Sequence, residues 1–334
     1  MIDVALDARM GRQLSVGMRT YARELVARLP RIAPDLRFTV WSRGAHLGFA
    51  EQVALPLTIA REKPRLVHFL SIYAPLVVPA PYVVTIHDVI HLQFPQYFKR
   101  KVGLYYATAV RRLLRGAARI ITDDERTVGE LHERLQVDPR RCRVVALGVD
   151  DVYRDASVRP VERARPYVLY AGNHREHKNI VTLLDAWQRL PSETAVDILL
   201  TGEADIPEVT ERFTRAKGGV EFLGDVPSHM LARYYAGARA YVHPALAEGF
   251  GLPMLEAMAV GTPVIASEEC VPAILRPYCT VFAARDARAL ANAMGAALAG
   301  ADDRSDALAG THVARGLTWD RCAEQTAAVY REVL

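Results

Sequence analysis

The chain has 334 residues, of which 51% are hydrophobic and 24% charged, and carries a net charge of +4. This is a globular composition, with enough chain for two domains of about 150 residues and too little excess charge to point to a nucleic-acid partner. The most apolar region, residues 70–90, is broken by Pro75, Pro79, Pro81, His87 and Asp88, so no membrane span is expected. The first residues alternate acid and apolar like a strand rather than a signal peptide, and a cytoplasmic protein is expected. Cys142, Cys270, Cys279 and Cys322 stand at no metal or redox spacing, which favours reduced thiols. The charge is uneven, with 24 basic against 16 acidic residues up to residue 155 and 18 against 22 beyond it.

In chain order, a first strand ends at Asp7, and residues 11–17 form a glycine-bounded loop before a helix over residues 20–29, stopped by Pro30. Residues 38–41, 66–70 and 82–86 read as short buried strands. The last of these ends in His87 and Asp88, at a carboxyl edge where ligand sites occur in doubly wound sheets. His91 follows four residues after His87. The pair could hold a metal if it lay on a helix, which a strand end suits poorly, or could be structural.

Residues 99–119 carry Lys99, Arg100, Lys101, Arg111, Arg112, Arg115 and Arg119 and no acid, with apolar residues at helical spacing. Such a basic amphipathic helix could lie against anionic lipid or a lipid-linked acceptor, or simply cover a sheet. Residues 119–122 and 142–147 read as further strands, with a helix at 125–135 between them. The polar stretch 151–165 is the best linker candidate.

The second half opens with a strand at residues 167–170. It is followed by Gly172, Asn173, Arg175 and Lys178, then a helix at 180–189. Strands at 198–201 and 220–223 precede the turn Gly224-Asp225-Val226-Pro227. Ala238 to Val242 is another strand, and Glu248-Gly249-Phe250-Gly251 a turn. Pro253 suits the first turn of a helix that ends at Gly261, and residues 262–266 make the next strand. An alanine-rich helix at 287–299 and a last helix opened by Thr318 complete the chain.

The Glu248–Gly251 turn is the most informative stretch. Its glycines let the main chain approach a ligand, and the N–H groups of the following helix, from Leu252 on, suit a phosphate. The flanking carboxylates Glu248 and Glu256 accept hydrogen bonds only, and so suit hydroxyl groups. A phosphate between hydroxyl-rich groups describes a nucleotide sugar.

The run Glu248-Gly249-Phe250-Gly251-Leu252-Pro253-Met254-Leu255-Glu256, continuing to Ser267, resembles the signature of the retaining family-four glycosyltransferases. The resemblance implies the GT-B fold: two Rossmann-like, doubly wound parallel-sheet α/β domains facing each other across a cleft. The first, residues 1–155, would bind the acceptor and be completed by the C-terminal helix at 317–334. The second, residues 166–316, would bind the nucleotide sugar.

By the same resemblance, Arg175 and Lys178 grip the donor diphosphate, and Glu248 holds sugar hydroxyls. Glu256 holds the ribose, and Gly249, Phe250, Gly251 and Leu252 line the donor. The backbone at Val226 reads the nucleobase. The segment around His87 is similar to that of bacterial mannosyl- and rhamnosyltransferases of glycan and lipopolysaccharide biosynthesis, in which the histidine lies beside the donor sugar; a proline is commoner where His91 stands. In the first loop Gly17 keeps the first glycine of a donor-binding pair, while Arg19 replaces the second and could meet the diphosphate or simply face solvent.

The expected activity is therefore retaining transfer of a hexose, with GDP-mannose as first donor, to a hydroxyl of a glycan or lipid-linked acceptor. Neither cofactor nor metal is expected, and peripheral contact with the inner face of the cytoplasmic membrane is a further expectation. A glycosidase is poorly served by carboxylates beside an anion pocket. A nucleotide-sugar-binding scaffold without turnover, in a glycan-assembly complex, is the alternative that Arg19 and His91 keep open.

Overall fold

The computed structural model describes residues 2–9, 16–42, 49–98, 100–204, 218–300 and 304–334. Residues 11–15 of the expected first loop, and Lys99, lie outside the described residues.

The chain forms two compact units, one of Met1–Gly148 with Leu317–Leu334 and one of Val149–Gly316. Each is built on a six-stranded parallel sheet. The first has the order β2-β1-β3-β4-β5-β6, made of Val4–Asp7 (β1), Phe38–Trp41 (β2), Leu66–Phe69 (β3), Tyr82–Ile86 (β4), Arg119–Thr122 (β5) and Cys142–Val144 (β6). The second has the order β12-β11-β10-β7-β8-β9, made of Tyr167–Tyr170 (β7), Asp197–Leu200 (β8), Val220–Phe222 (β9), Ala240–His243 (β10), Val264–Ser267 (β11) and Thr280–Phe282 (β12). β1, β3, β4, β7, β10 and β11 are buried along their whole length. That is why they read as unbroken apolar runs rather than alternating ones. In each sheet the order reverses at the first strand of the unit, and in such sheets ligands bind beyond the carboxyl ends at this point.

The change of unit at residue 148 has a local cause. A Cβ on Gly148 would lie 2.2 Å from the backbone nitrogen of Trp319, so only glycine lets the outgoing chain pass the start of the helix Trp319–Val333. Thr318 caps that helix by accepting from the Arg321 N–H. Trp319 and Tyr330 are buried, and Arg28 of the helix Val16–Ile32 pairs with Asp320 at 2.8 Å. The C-terminal helix is thus part of the first unit's core.

Residues 151–165, expected as a linker, pack on the second unit. Asp151–Arg154 is a short helix, Tyr153 is buried edge-on against Tyr235, and the Val161 N–H donates to the Arg233 carbonyl. The expected first-unit end at residue 155 accordingly moves back to Gly148.

The basic stretch also differs from expectation. It forms a helix at Arg100–Tyr105, a π-helical turn at Tyr106–Val110 and a helix at Arg111–Gly116. The helix stops early because the Ala117 N–H is the last to bond back into it, at the Leu113 carbonyl that also accepts from the Tyr82 hydroxyl at 2.7 Å, while the next N–H, that of Ala118, joins the sheet at Tyr82. Arg119 therefore opens β5 and pairs with Glu332. The helix Val16–Ile32 likewise starts before the expected residue 20, so Gly17 and Arg19 lie in its first turn, and it runs two residues beyond Pro30.

Candidate active site

In the second unit, the loops after β7 and β10 lie side by side because those strands are paired. They are stitched together at three points. The Leu246 N–H donates to the His177 carbonyl at 2.8 Å, Asn179 Nδ2 donates to the Pro244 carbonyl at 3.0 Å, and Lys178 Nζ donates to Glu248 Oε2. Asn179 sits in the left-handed region at φ 55°, which asparagine tolerates, and its Oδ1 accepts from Thr182 Oγ1 at 2.8 Å.

Glu248 is the hub of this edge. Its Oε2 also meets His243 Nε2 at 3.1 Å, and His243 Nδ1 meets the Tyr241 hydroxyl at 2.7 Å. Burial opposes charge on both partners. On the histidine, the neighbouring Cys270 sulfur and the Glu248 carboxylate outweigh it and push the imidazole up to about 9. On Glu248, Lys178 and His243 outweigh it and hold the carboxyl well below the usual range. An imidazolium donates from both nitrogens, which fits Tyr241 accepting from His243 and donating to the Ala171 carbonyl at 3.4 Å. The result is a partly buried anion held by two cations.

Beyond Glu248, Gly251 takes φ 77° and caps the helix Leu252–Val260. The expected row of free helical N–H donors is shorter than anticipated. Pro253 has no N–H, and those of Met254 and Leu255 turn back to the Gly251 carbonyl at 2.9 and 3.3 Å. Leu252 is left as the first-turn residue whose N–H is not engaged among the described residues. Glu256, one turn in, accepts from the Tyr235 hydroxyl at 3.2 Å. Burial, and then the charge of Asp150, push its carboxyl up to about 8.

In the first unit, His87 follows β4 and Asp123 follows β5, its neighbour. His87 Nδ1 lies 2.7 Å from Asp123 Oδ2. Burial works against the His87 cation, but the Asp123 carboxylate more than offsets it and raises the ring's affinity for a proton. Burial raises the Asp123 carboxyl as well, against the pull of His87. His87 Nε2 and Asp123 Oδ1 are buried with no hydrogen-bond partner among the described residues. His91 is used separately, with its Nδ1 3.2 Å from the Tyr106 hydroxyl and its ring against Phe98.

Two family models divide the chain as the sheets do. Glycosyltransferase Family 4 matches residues 8–153, and Glycosyl transferases group 1 matches residues 165–300. Escherichia coli O-antigen chain mannosyltransferase B is 31% identical over 75% of this chain and 70% of its own length. The chain belongs to the family-four glycosyltransferases. O-antigen chain mannosyltransferase RfbU of Salmonella typhimurium is 27% identical over 55% of this glycosyltransferase and about half (51%) of its own length. A sucrose-phosphate synthase from Thermosynechococcus elongatus, 22% identical and covered to 99% on both sides, has a TM-score of 0.76. The Anabaena protein HepE in complex with UDP-glucose, 16% identical and covered throughout, has one of 0.74. These structures establish the GT-B fold of the glycosyltransferase.

The other sequence-predicted positions are placed as follows. Arg175 is exposed, with its main-chain N–H donating to Asn173 Oδ1 at 3.3 Å and its carbonyl accepting from the Lys178 N–H at 2.8 Å. Gly249 and Phe250 are buried in the turn beside Glu248. Val226 lies between β9 and the helix Ser228–Gly237, next to a bridge between Gly202 and Gly224. Arg19 is exposed on its helix, and Gly17 precedes it by two residues.

Sequence reasoning passed over His243, Tyr241, Asn179 and Asp123. His243 ends a buried strand five residues before Glu248, and Asp123 ends the strand next to that of His87. Polar residues at the carboxyl ends of apolar runs were the available signal.

Proposed function

We propose that this glycosyltransferase moves a hexose, mannose in the first instance, from a nucleoside diphosphate sugar to a hydroxyl of a glycan or lipid-linked acceptor. The observation that carries the reading is the Lys178–Glu248–His243 cluster beside the Gly251 turn. It joins fixed cations to a partly buried hydroxyl acceptor at the edge where ligands bind in this kind of sheet. Mannose and a glycan or lipid acceptor are supported by the relatives, which are named O-antigen chain mannosyltransferases and, at 33% identity over half of this chain, a phosphatidyl-myo-inositol mannosyltransferase of Mycolicibacterium smegmatis. GDP is the first base to test.

In the proposed reaction the bond from the anomeric carbon to the diphosphate oxygen breaks with its electron pair staying on the diphosphate, the acceptor hydroxyl oxygen forms the new bond to the anomeric carbon, and its proton passes to an oxygen of the departing diphosphate. Arg175, Lys178 and the Leu252 N–H meet that charge. Lys178 has three N–H donors, so its bond to Glu248 leaves two for phosphate oxygens. A preorganised donor of this kind contributes roughly 3 kcal/mol or more in a water-poor site. Glu248 holds sugar hydroxyls, Glu256 the ribose, and His87 a further substrate hydroxyl. With two side-chain cations on the leaving group, the proposal needs no metal, and it assigns retention of anomeric configuration.

The first unit offers a surface for the acceptor's side. No helix of the described residues is long and apolar enough to cross a membrane. Leu76, Val77 and Leu104 are exposed at 51, 60 and 66% beside the exposed Arg112 and Arg115. We assign this patch to peripheral contact with anionic lipid.

The test is transfer from GDP-mannose and competing nucleotide sugars to glycan and lipid-linked acceptors, with and without EDTA, scoring the anomer by NMR. Retained-configuration product that survives EDTA is expected. Donor binding without transfer or hydrolysis would replace this reading with a nucleotide-sugar-binding scaffold.

A further inference from the structure

The first unit holds a second histidine–carboxylate pair whose construction differs from that around Glu248. The His87 ring is fixed on two sides. Asp123 takes Nδ1 at 2.7 Å, and Tyr21 meets the ring edge-on with centroids 4.7 Å apart. Tyr21 is itself pinned by a buried chain running through three elements of the unit. Its hydroxyl meets Thr85 Oγ1 at 2.9 Å, Thr85 Oγ1 meets His68 Nε2 at 2.8 Å, and His68 Nδ1 meets the Tyr330 hydroxyl at 2.6 Å. Burial, and then His87, push His68 down to about 3, so it is a neutral relay within the core.

All this scaffolding ends on one nitrogen. Among the described residues His87 Nε2 is buried without a partner, as is Asp123 Oδ1. A buried polar atom left unpaired costs about 1–3 kcal/mol, so a fold that orients a ring this tightly while leaving its outer nitrogen unmet is holding that nitrogen for something else.

We infer that Asp123 is a positioning residue: it anchors His87 through Nδ1, so that Nε2 is the nitrogen offered to a hydroxyl oxygen of the substrate. This rests on the glycosyltransferase reading of His87 and extends it to a residue in a different strand. The negative charge of Asp123 also favours the protonated ring, in which Nε2–H donates. Other titratable groups facing the ring are Asp88, next in the chain, His68 and Tyr21; Asp124 and Cys322 face Asp123 from behind, and the Leu70 carbonyl adds a small pull towards the protonated ring. Of the carboxylates, Asp123 is the one in contact.

The test is Asp123→Asn, made alone and with His87→Gln, on the full chain. The His87 resonances, identified by their absence in His87→Gln, are titrated by NMR without substrate. Initial rates are then measured from pH 5.5 to 9. In Asp123→Asn the His87 titration is expected to move to lower pH, and the fall in rate at high pH to move with it. The maximal rate should drop roughly 10- to 100-fold with a small change in donor KM, and Asp123→Asn should cost nothing further once His87 is Gln.

An unmoved His87 titration, or an equal loss on the His87→Gln background, would overturn the proposal. If Asp123→Asn melts early, the double variant still decides, because a merely structural loss persists without His87. Absence of transfer by the native protein would count against the functional reading alone, since the titration is read without substrate.

Discussion

His243 with Glu248 and His87 with Asp123 are both buried histidine–carboxylate pairs at the carboxyl edge of a parallel sheet, yet they are finished differently. Around Glu248 both ring nitrogens of the histidine are bonded, Tyr241 takes the far side, and Lys178 adds a second cation to the same carboxylate oxygen. Around Asp123 one ring nitrogen and one carboxylate oxygen have no partner among the described residues. The two also stand on different foundations. In the Glu248 group the loop residues Glu248 and Lys178 meet a histidine of the buried strand β10 directly, whereas His87, itself in the loop after β4, reaches the core through Tyr21, Thr85 and His68. The contrast separates a site whose charges are set before any ligand arrives from one whose geometry is set and whose hydrogen bonding is left open.

The largest effect is expected from unbalancing the finished side. Lys178→Ala removes one of the two cations on Glu248 together with a phosphate donor. Transfer is expected to fall about 10²–10³-fold. The melting temperature should fall too, because a partly buried anion loses a partner. A variant that keeps its activity but melts early would make the cluster a structural tie and not part of the site.

The next effect is on pH. The folded His243 titrates near 9, above its ordinary value near 6.5. Its contribution to stability is therefore complete below about pH 6.5 and is lost as pH rises through 9. The second unit should lose stability on the order of 2 kcal/mol across that window, and His243→Gln should flatten the curve. Denaturant unfolding of both proteins at pH 6, 7.5 and 9 measures it. Glu256 gives a smaller, opposite kind of signature. Its carboxyl titrates near 8, and binding ribose hydroxyls favours the anion, so nucleoside diphosphate binding should release close to one proton at pH 7. Calorimetry in buffers of different ionisation enthalpy reads this directly, and Glu256→Gln should abolish it.

The sequence carried the alternation of strands and helices because fully buried parallel strands leave unbroken apolar runs such as Tyr167–Tyr170. It carried the loop around Gly251 because that turn needs a positive φ next to a helix start. The packing that ends the first unit at residue 148 was not legible. It depends on Gly148 meeting Trp319, 171 residues away in the chain, and no local pattern records such a contact. The polar look of residues 151–165 hid Tyr153, whose buried ring, with the Val161 N–H on Arg233, ties that stretch to the second unit. Asp123 and His243 were hidden for the same reason. Each is one polar residue at the end of an apolar run, and its partner comes from a neighbouring strand or a following loop.

The smallest effect concerns the surface of the first unit, and it tests whether the open side of the comparison is coupled to a lipid-linked acceptor. The helix Arg111–Gly116 buries Leu113 and Leu114 in the core and turns Arg112 and Arg115 outward. Arg112 Nε also donates to the Leu76 carbonyl at 3.2 Å, which holds the exposed Leu76 and Val77 beside the basic residues. Apolar side chains flanked by cations match the boundary between acyl chains and anionic headgroups. Each basic residue near such a surface contributes about 1 kcal/mol, or about a fivefold change in partition. Arg112→Ala and Arg115→Ala together should therefore weaken binding to vesicles rich in anionic lipid by about 25-fold, an effect that high salt removes and neutral vesicles never show. Transfer to a soluble acceptor should be unchanged in the same variant, while transfer to a lipid-linked acceptor in vesicles should fall with binding. If the two acceptors are affected alike, the arginines act through the fold, and the basic helix is a sheet cover and no more.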